Sequence, residues 1–187
     1  PAYTRENMSE CSIKSIFQMK RKYMKFLYIK VLERTYMDIT KVINEKTIDL
    51  NLKGKNKDEV LSELTDMLFN ENIISSKEGF LKDVYLREAE GQTGLGNYIA
   101  IPHGKSDSVL KTSLAIGRTK ESIEWETLDG KPVKCIILFA VRSMDKTTTH
   151  IKLLSQVAEA LADDDITEKL LTKENPKEIM ELFREKK

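Results

Sequence analysis

The chain has 187 residues, 40% of them hydrophobic and 33% charged, and carries a formal net charge of +1. That length suits one domain plus an appendage, and a domain of about 150 residues buries a proper core without staples. Two cysteines far apart, Cys11 and Cys135, argue against a disulfide framework and fit a reducing cytoplasm, and no stretch approaches the roughly 18 uninterrupted apolar residues of a membrane-spanning helix.

The charge is unevenly spread. Residues 1–36 hold eight Lys/Arg against three acids, whereas residues 37–187 hold 23 against 27. The first segment, around SIKSIFQMKRKYMKFLYIKVL, reads as a basic and possible amphipathic helix, and as an upstream extension or expression remnant preceding a natural start at Met37. Residues 37–187 are net acidic and show no interleaving of basic and aromatic residues, which speaks against nucleic acid as a partner.

From Thr47 to Leu52 the alternation of apolar and polar residues predicts a half-buried strand. A helix follows, capped by Asn56, with Val60, Leu61, Leu64, Met67 and Leu68 on one face. Ser75 and Glu78 have the spacing of a capping box for a second helix that runs to about Glu90, turns Phe80, Leu81 and Val84 inward and closes at Gly91. Arg87 continues that inward stripe.

A loop rich in glycine comes next, then a short strand IAI stopped by Pro102, a β segment SLAIGRT at 113–119, and VKCIILFAV at 133–141, apolar enough for a central strand covered on both faces. In that run Cys135 reads as a small hydrophobe. TTTHIKLLSQVAEAL begins a helix with threonine caps and Ile151, Leu154, Val157, Ala158 and Leu161 on its inner side; His150 shares that face in the first turn. Asp163–Asp165 cap a further helical segment. Asn175 and Pro176 start the last helix, with Ile179, Leu182 and Phe183 inward. Strands interleaved with helices predict a layered α/β sandwich in which helices flank a mixed β-sheet.

Residues 86–107, LREAEGQTGLGNYIAIPHGKSD, hold four of the chain's eight glycines and one of its two histidines. Glycine weakens an ordinary element by roughly 0.5–1 kcal/mol, so this density needs a reason. It is not a dinucleotide site, because the order is helix, loop, strand instead of strand, loop, helix. Gly104-Lys105-Ser106 lacks the partner glycine of a P-loop, and two histidines without C-x-x-C or H-E-x-x-H make a poor metal site. Pro102-His103-Gly104 instead sets an imidazole just past a strand end, beside a residue that leaves room for an approaching group. An inward Arg87 needs an anion or a path to water. His150 in the first turn of its helix lies near free N–H groups and the positive end of the dipole. Arg87, His103 and His150 together would make a phosphate site without metal or cofactor, with one imidazole as nucleophile and the other as donor.

REAEGQTGLGNYIAIPHGK resembles the signature of the fructose/mannitol class of enzyme IIA domains of the bacterial sugar phosphotransferase system, and the likeness runs from near Met37 to the C-terminus. The resemblance implies that His103 is the phosphorylated histidine, His150 the second active-site histidine and Arg87 the group that steadies the phosphate. It implies a mixed sheet flanked by helices, a phosphoryl group accepted from the histidine phosphocarrier protein and given to a IIB domain's cysteine, no sugar bound directly, and a membrane permease IIC reached only through IIB. Many relatives have glycine where this chain has Tyr98. Thr93, Gly94, Gly96 and Asn97 read as loop-shaping, since Gly and Asn tolerate positive φ, with the Thr93 hydroxyl a possible donor; Lys105 and Asp107 read as solvated rim. A regulatory phosphoacceptor, of the nitrogen-related branch or cut from a sugar-operon activator, is the alternative to transport. A hydrolase using His103 as base lacks a nucleophile elbow.

Overall fold

The computed structural model describes residues 39–145 and 147–184. The expectations for residues 1–36, including Cys11 and the basic helix, and for Met37 as a start lie outside them. Eleven labelled elements follow in order: β1 (Ile48–Leu52), α1 (Lys57–Asn70), α2 (Lys77–Glu90), β2 (Gly94–Gly96), β3 (Ile99–Ala100), β4 (His103–Ser106), β5 (Ser113–Ile123), β6 (Val133–Arg142), α3 (Thr147–Leu161), α4 (Asp164–Thr172) and α5 (Pro176–Leu182).

The strands form one six-stranded sheet in the order β1-β5-β6-β3-β2, with β4 also pairing β6. It is mixed: β1 runs parallel to β5, β5 antiparallel to β6, and β3 and β4 parallel to β6. β6 is central and apolar, and its residues from Cys135 to Val141 are buried. Strand alternation divides them between two layers of helices. Ala115, Ile136, Leu138 and Ala140 join Val60, Leu61, Leu64, Leu68, Phe80 and Val84 in one cluster under α1 and α2. On the other face Arg118 donates to the Leu170 carbonyl of α4. The α/β sandwich expected from the sequence is the fold observed.

Local signals account for most helix ends. The Asn56 side chain accepts from the Glu59 backbone N–H at 2.9 Å, Asp163 caps α4, and Asn175 caps α5 with Pro176 in its first turn. Other expectations are corrected. Ser76, not Ser75, caps α2, accepting from Gly79 N–H at 3.0 Å; the Ser75 hydroxyl is drawn instead to the Ser108 carbonyl at 3.1 Å, and Glu78 thereby loses the capping-box position. Gly91 closes α2 as expected, in an extended conformation, φ 165°. In α3 the inner stripe is Leu153, Val157 and Leu161, while Ile151 is 56% exposed and Ala158 faces solvent. Two apolar residues adjacent in sequence, Leu153 and Leu154, left the phase ambiguous, and burial in the folded chain resolved it one position away. The threonine caps expected there fall on side chains outside the described set, apart from Thr148.

The site hangs on the pairing of β3 and β4 with β6. Ile99 and Ala100 align with Cys135 and Ile136, and His103 and Gly104 align with Phe139 and Ala140. The offset is the same on both sides of Ile101-Pro102, so β3 and β4 are one line along β6 interrupted by the proline. Proline has no N–H for the ladder, but its carbonyl still accepts from Phe139 N–H at 2.9 Å. His103 therefore opens a strand and does not sit past the end of one.

Candidate functional site

Among the described residues β4 pairs only with β6, so it is an edge there, and α2 packs across it. An added Cβ on Gly104 would come within 2.8 Å of Val84 Cγ2 and 3.0 Å of Phe80 Cε2. The room left by Gly104 is thus filled by α2, which corrects the expectation that it admits an approaching group. This close approach lets Arg87, one turn beyond Val84, reach over the sheet edge to His103.

His103 is 8% exposed and lies between two fixed partners. Its Nδ1 is 3.2 Å from the Ile101 carbonyl oxygen, and its Nε2 is 2.9 Å from Arg87 Nε. A carbonyl only accepts and a guanidinium only donates. Nδ1 must therefore carry the ring proton and Nε2 the lone pair, a single tautomer dictated by two neighbours. The Ile101 carbonyl faces away from β6, whose N–H groups are taken by the Tyr98 and Pro102 carbonyls; on that same side Ile101 N–H is held by the Thr93 carbonyl at 2.9 Å. Arg87 is itself steadied by donating from Nη1 to the Gly91 carbonyl at 3.3 Å.

His150 stands across the site from α3. The two rings are 5.2 Å apart between centroids and inclined by 63°. His150 Nε2 is buried and has no hydrogen-bond partner among the described atoms. Both imidazoles are held neutral. Burial lowers the His103 pKa from its ordinary 6.5, helped by Arg87 and opposed by the Ile101 carbonyl, Glu88 and Glu90. Burial likewise lowers His150, followed by His103, Lys105 and Arg87. The chain thus brings Arg87, His103 and His150 together, as the sequence led one to expect.

The loop residues divide by cause. Gly96, Asn97 and Tyr98 have φ of 99°, 50° and 65°. Gly96 pairs with Ile99, so Asn97-Tyr98 is a two-residue hairpin turn with both φ positive, the type that favours Asn-Gly. Gly94 does not have positive φ and that expectation is corrected: it is needed because a Cβ would meet Thr127 Cγ2 at 2.3 Å and the Glu126 carbonyl at 2.7 Å. The Thr93 hydroxyl, expected as a possible donor in the loop, accepts from Trp125 Nε1 at 3.1 Å. Lys105 and Asp107 are exposed. Sequence reasoning missed the Ile101 carbonyl and the Trp125–Thr93 bond, for which no local signal exists.

Among the described residues no group of three or more His, Cys, Asp or Glu side chains is arranged to hold a metal ion. None of the helices there is long and apolar enough to cross a membrane. Cys135 is fully buried, and burial pushes its thiol up to about 12, so it is no nucleophile in the folded chain.

Residues 41–186 match the family model described as "Phosphoenolpyruvate-dependent sugar phosphotransferase system, EIIA 2". The chain is 33% identical over 154 residues to the 2-O-alpha-mannosyl-D-glycerate-specific EIIABC component of Escherichia coli (strain K12), covering 82% of this chain and 23% of that relative. It is 30% identical over 149 residues to the fructose-specific EIIABC component of Bacillus subtilis (strain 168), covering 80% of this chain and again 23% of the relative. The chain thus spans about a quarter of the length of these two curated relatives. Among solved structures it is similar to the nitrogen regulatory protein IIA-Ntr of Neisseria meningitidis, with 29% identity and a TM-score of 0.72, covering 78% of this chain and 98% of that one.

Proposed function

Because this chain belongs to the EIIA 2 family of the phosphoenolpyruvate-dependent sugar phosphotransferase system, we propose that it is a phosphoryl relay in which His103 takes the phosphoryl group from a histidine phosphocarrier protein and gives it to the cysteine of a IIB domain. The single observation that carries this reading is the tautomer of His103. The Ile101 carbonyl holds the proton on Nδ1, which leaves the Nε2 lone pair aimed at Arg87 in a ring kept neutral by burial.

In the accepting step the Nε2 lone pair attacks phosphorus, an Nε2–P bond forms, and the donor's N–P bond breaks with its electron pair returning to the donor ring. Arg87 passes from the ring nitrogen to the phosphoryl oxygens, where a guanidinium matches their geometry. His150, near the N-terminus of α3 with an unpartnered Nε2, donates to the same group as charge accumulates. In the giving step a partner thiolate forms the S–P bond, and the electron pair returns to Nε2. Nothing in either step calls for a metal or cofactor, and sugar selection belongs to the permease IIC beyond IIB.

Incubation with phosphoenolpyruvate, enzyme I and the phosphocarrier is expected to give one acid-labile, base-stable phosphate, and His103→Ala to abolish it. A label that persists in His103→Ala overturns the assignment. Arg87→Ala is expected to slow uptake and onward transfer alike; unchanged kinetics remove it from the site. The likeness to the nitrogen regulatory protein favours a second reading, a regulatory phosphoacceptor whose output is protein binding. Retention of the label in the presence of a competent IIB domain selects that reading, and rapid loss to IIB selects the relay.

A further inference from the structure

α2 presents two working faces. Phe80, Val84 and Arg87 look toward β4 and His103, whereas Tyr85 and Glu88 are gripped by the first turn of α1. Tyr85 donates its hydroxyl to Asp58 Oδ1 at 2.8 Å. Lys57 Nζ lies 2.5 Å from Glu88 Oε2 and 2.8 Å from Glu126 Oε2, and 4.7 Å from the centre of the Trp125 ring. The Glu88 side chain is only 7% exposed, and its second oxygen is buried without a hydrogen-bond partner among the described residues. A carboxylate so placed has little water to screen it, and Lys57 is the cation that compensates it.

We infer that Lys57 is a positioning residue for His103: its ammonium, seated between Glu88 and Glu126, cancels a nearly buried carboxylate one residue from Arg87 and so preserves the Arg87–His103 hydrogen bond. The inference rests on the proposed role of His103 as acceptor and adds what keeps that acceptor ready. Charged and titratable groups act on the His103 ring from α2 (Arg87, Glu88 and Glu90) and it faces His150 of α3; Lys105 of its own strand acts on His150. Of these, Glu88 and Glu90 favour the protonated ring. Glu90 is 74% exposed and screened by water, so Glu88 is the one whose field depends on a protein partner. Although burial works against it, Lys57 keeps its charge through hydrogen bonds to Glu126 and Glu88, which hold its pKa above the ordinary value. Without Lys57, Glu88 pulls a proton onto His103, the Nε2 lone pair is lost, and two donors face each other across 2.9 Å. The trio also joins the β5–β6 loop to the site, because Trp125 holds Thr93, whose carbonyl holds Ile101 N–H.

The test uses the full chain and its two histidines, with ring signals assigned by His150→Gln and followed by NMR against pH. In Lys57→Met the His103 midpoint is expected to rise by about half a unit, a fraction of what a contacting charge produces. In Lys57→Met with Glu88→Gln it is expected to return to the wild-type value, and Lys57→Arg is expected to hold it there. Phosphoryl uptake by Lys57→Met is expected to slow roughly twofold at the pH of the wild-type His103 midpoint and to match wild type near pH 8, where the ring is neutral in both. An unmoved midpoint in Lys57→Met, an equal loss of uptake at both pH values, or no recovery in the double variant overturns the inference. If wild type itself takes up no phosphate, the relay reading fails on its own, and the ring titration still decides this one.

Discussion

The imidazoles of His103 and His150, 47 positions apart in sequence, meet edge to face with their centroids separated by 5.2 Å. Among the described residues neither has a carboxylate as hydrogen-bond partner; their neighbours there are a guanidinium, a carbonyl and each other. Such a pair stays neutral together, because a charge on one raises the cost of a charge on the second. His103 is one of the groups that lowers the His150 pKa, after burial itself. Replacing His103 by Gln is therefore expected to move the His150 titration midpoint up toward its ordinary 6.5, read from the one remaining ring signal. A midpoint that stays put would show that the rings do not sense one another.

The same shifts set a pH dependence of stability. Each imidazole binds its proton at lower pH in the folded chain than in the unfolded one. Between the folded values and 6.5 the unfolded state holds more protons, so stability rises with pH across that window and falls as pH drops through it. Urea midpoints are expected to decline from about pH 7.5 to about pH 5.5, above the range where carboxylates titrate. The double variant His103→Gln, His150→Gln is expected to flatten that slope.

Gly104 makes a different kind of prediction. A methyl group there meets Val84 and Phe80, both fully buried, so α2 must back away from β4. Gly104→Ala is expected to cost about 1–3 kcal/mol by chemical denaturation, the range for overpacking a closed core. Because Arg87 rides on the same helix, His103 in this variant is also expected to titrate differently from wild type. A loss of stability with an unchanged His103 titration would mean that the helix moved without carrying Arg87.

Tyr98 runs the other way. It adopts φ 65° in a two-residue turn, where a side chain costs roughly 1–2 kcal/mol and glycine avoids that cost at some entropic expense. Its ring gains a contact with Lys131, 5.9 Å from the ring centre, and stays 38% exposed. Tyr98→Gly is expected to stabilise the chain by about 0.5–1 kcal/mol, measurable as a higher thermal midpoint. A lower midpoint would show that the aromatic contact outweighs the backbone strain.

Several features were legible in the linear chain because their causes are local. Asn56, Asp163 and Asn175 announce helix starts through bonds spanning two or three residues, and the apolar run from Val133 to Val141 announces a covered strand by composition alone. The expectation that Arg87, His103 and His150 share a site came from helical phase and from motif resemblance, and the three do converge. Where short-range signals competed, the sequence was ambiguous: Ser75 and Ser76 are both capable caps, and Ile151 and Leu153 are both capable core residues. Those choices fell to Ser108, far away in sequence, and to tertiary burial.

What the sequence determined by itself is therefore the helices, the strands β1, β3, β5 and β6, their order, and the three side chains that converge at the site; β2 and β4, read as loop, escaped it. What tertiary structure alone decided is the chemical state of those side chains. The proton on Nδ1 of His103 depends on the Ile101 carbonyl, which faces away from β6, and on a guanidinium brought over a sheet edge by the closeness of Gly104 to α2. Hydrogen bonding and desolvation act over a few ångströms in space, whatever the separation along the chain, so only the folded arrangement of these groups could assign the lone pair to Nε2.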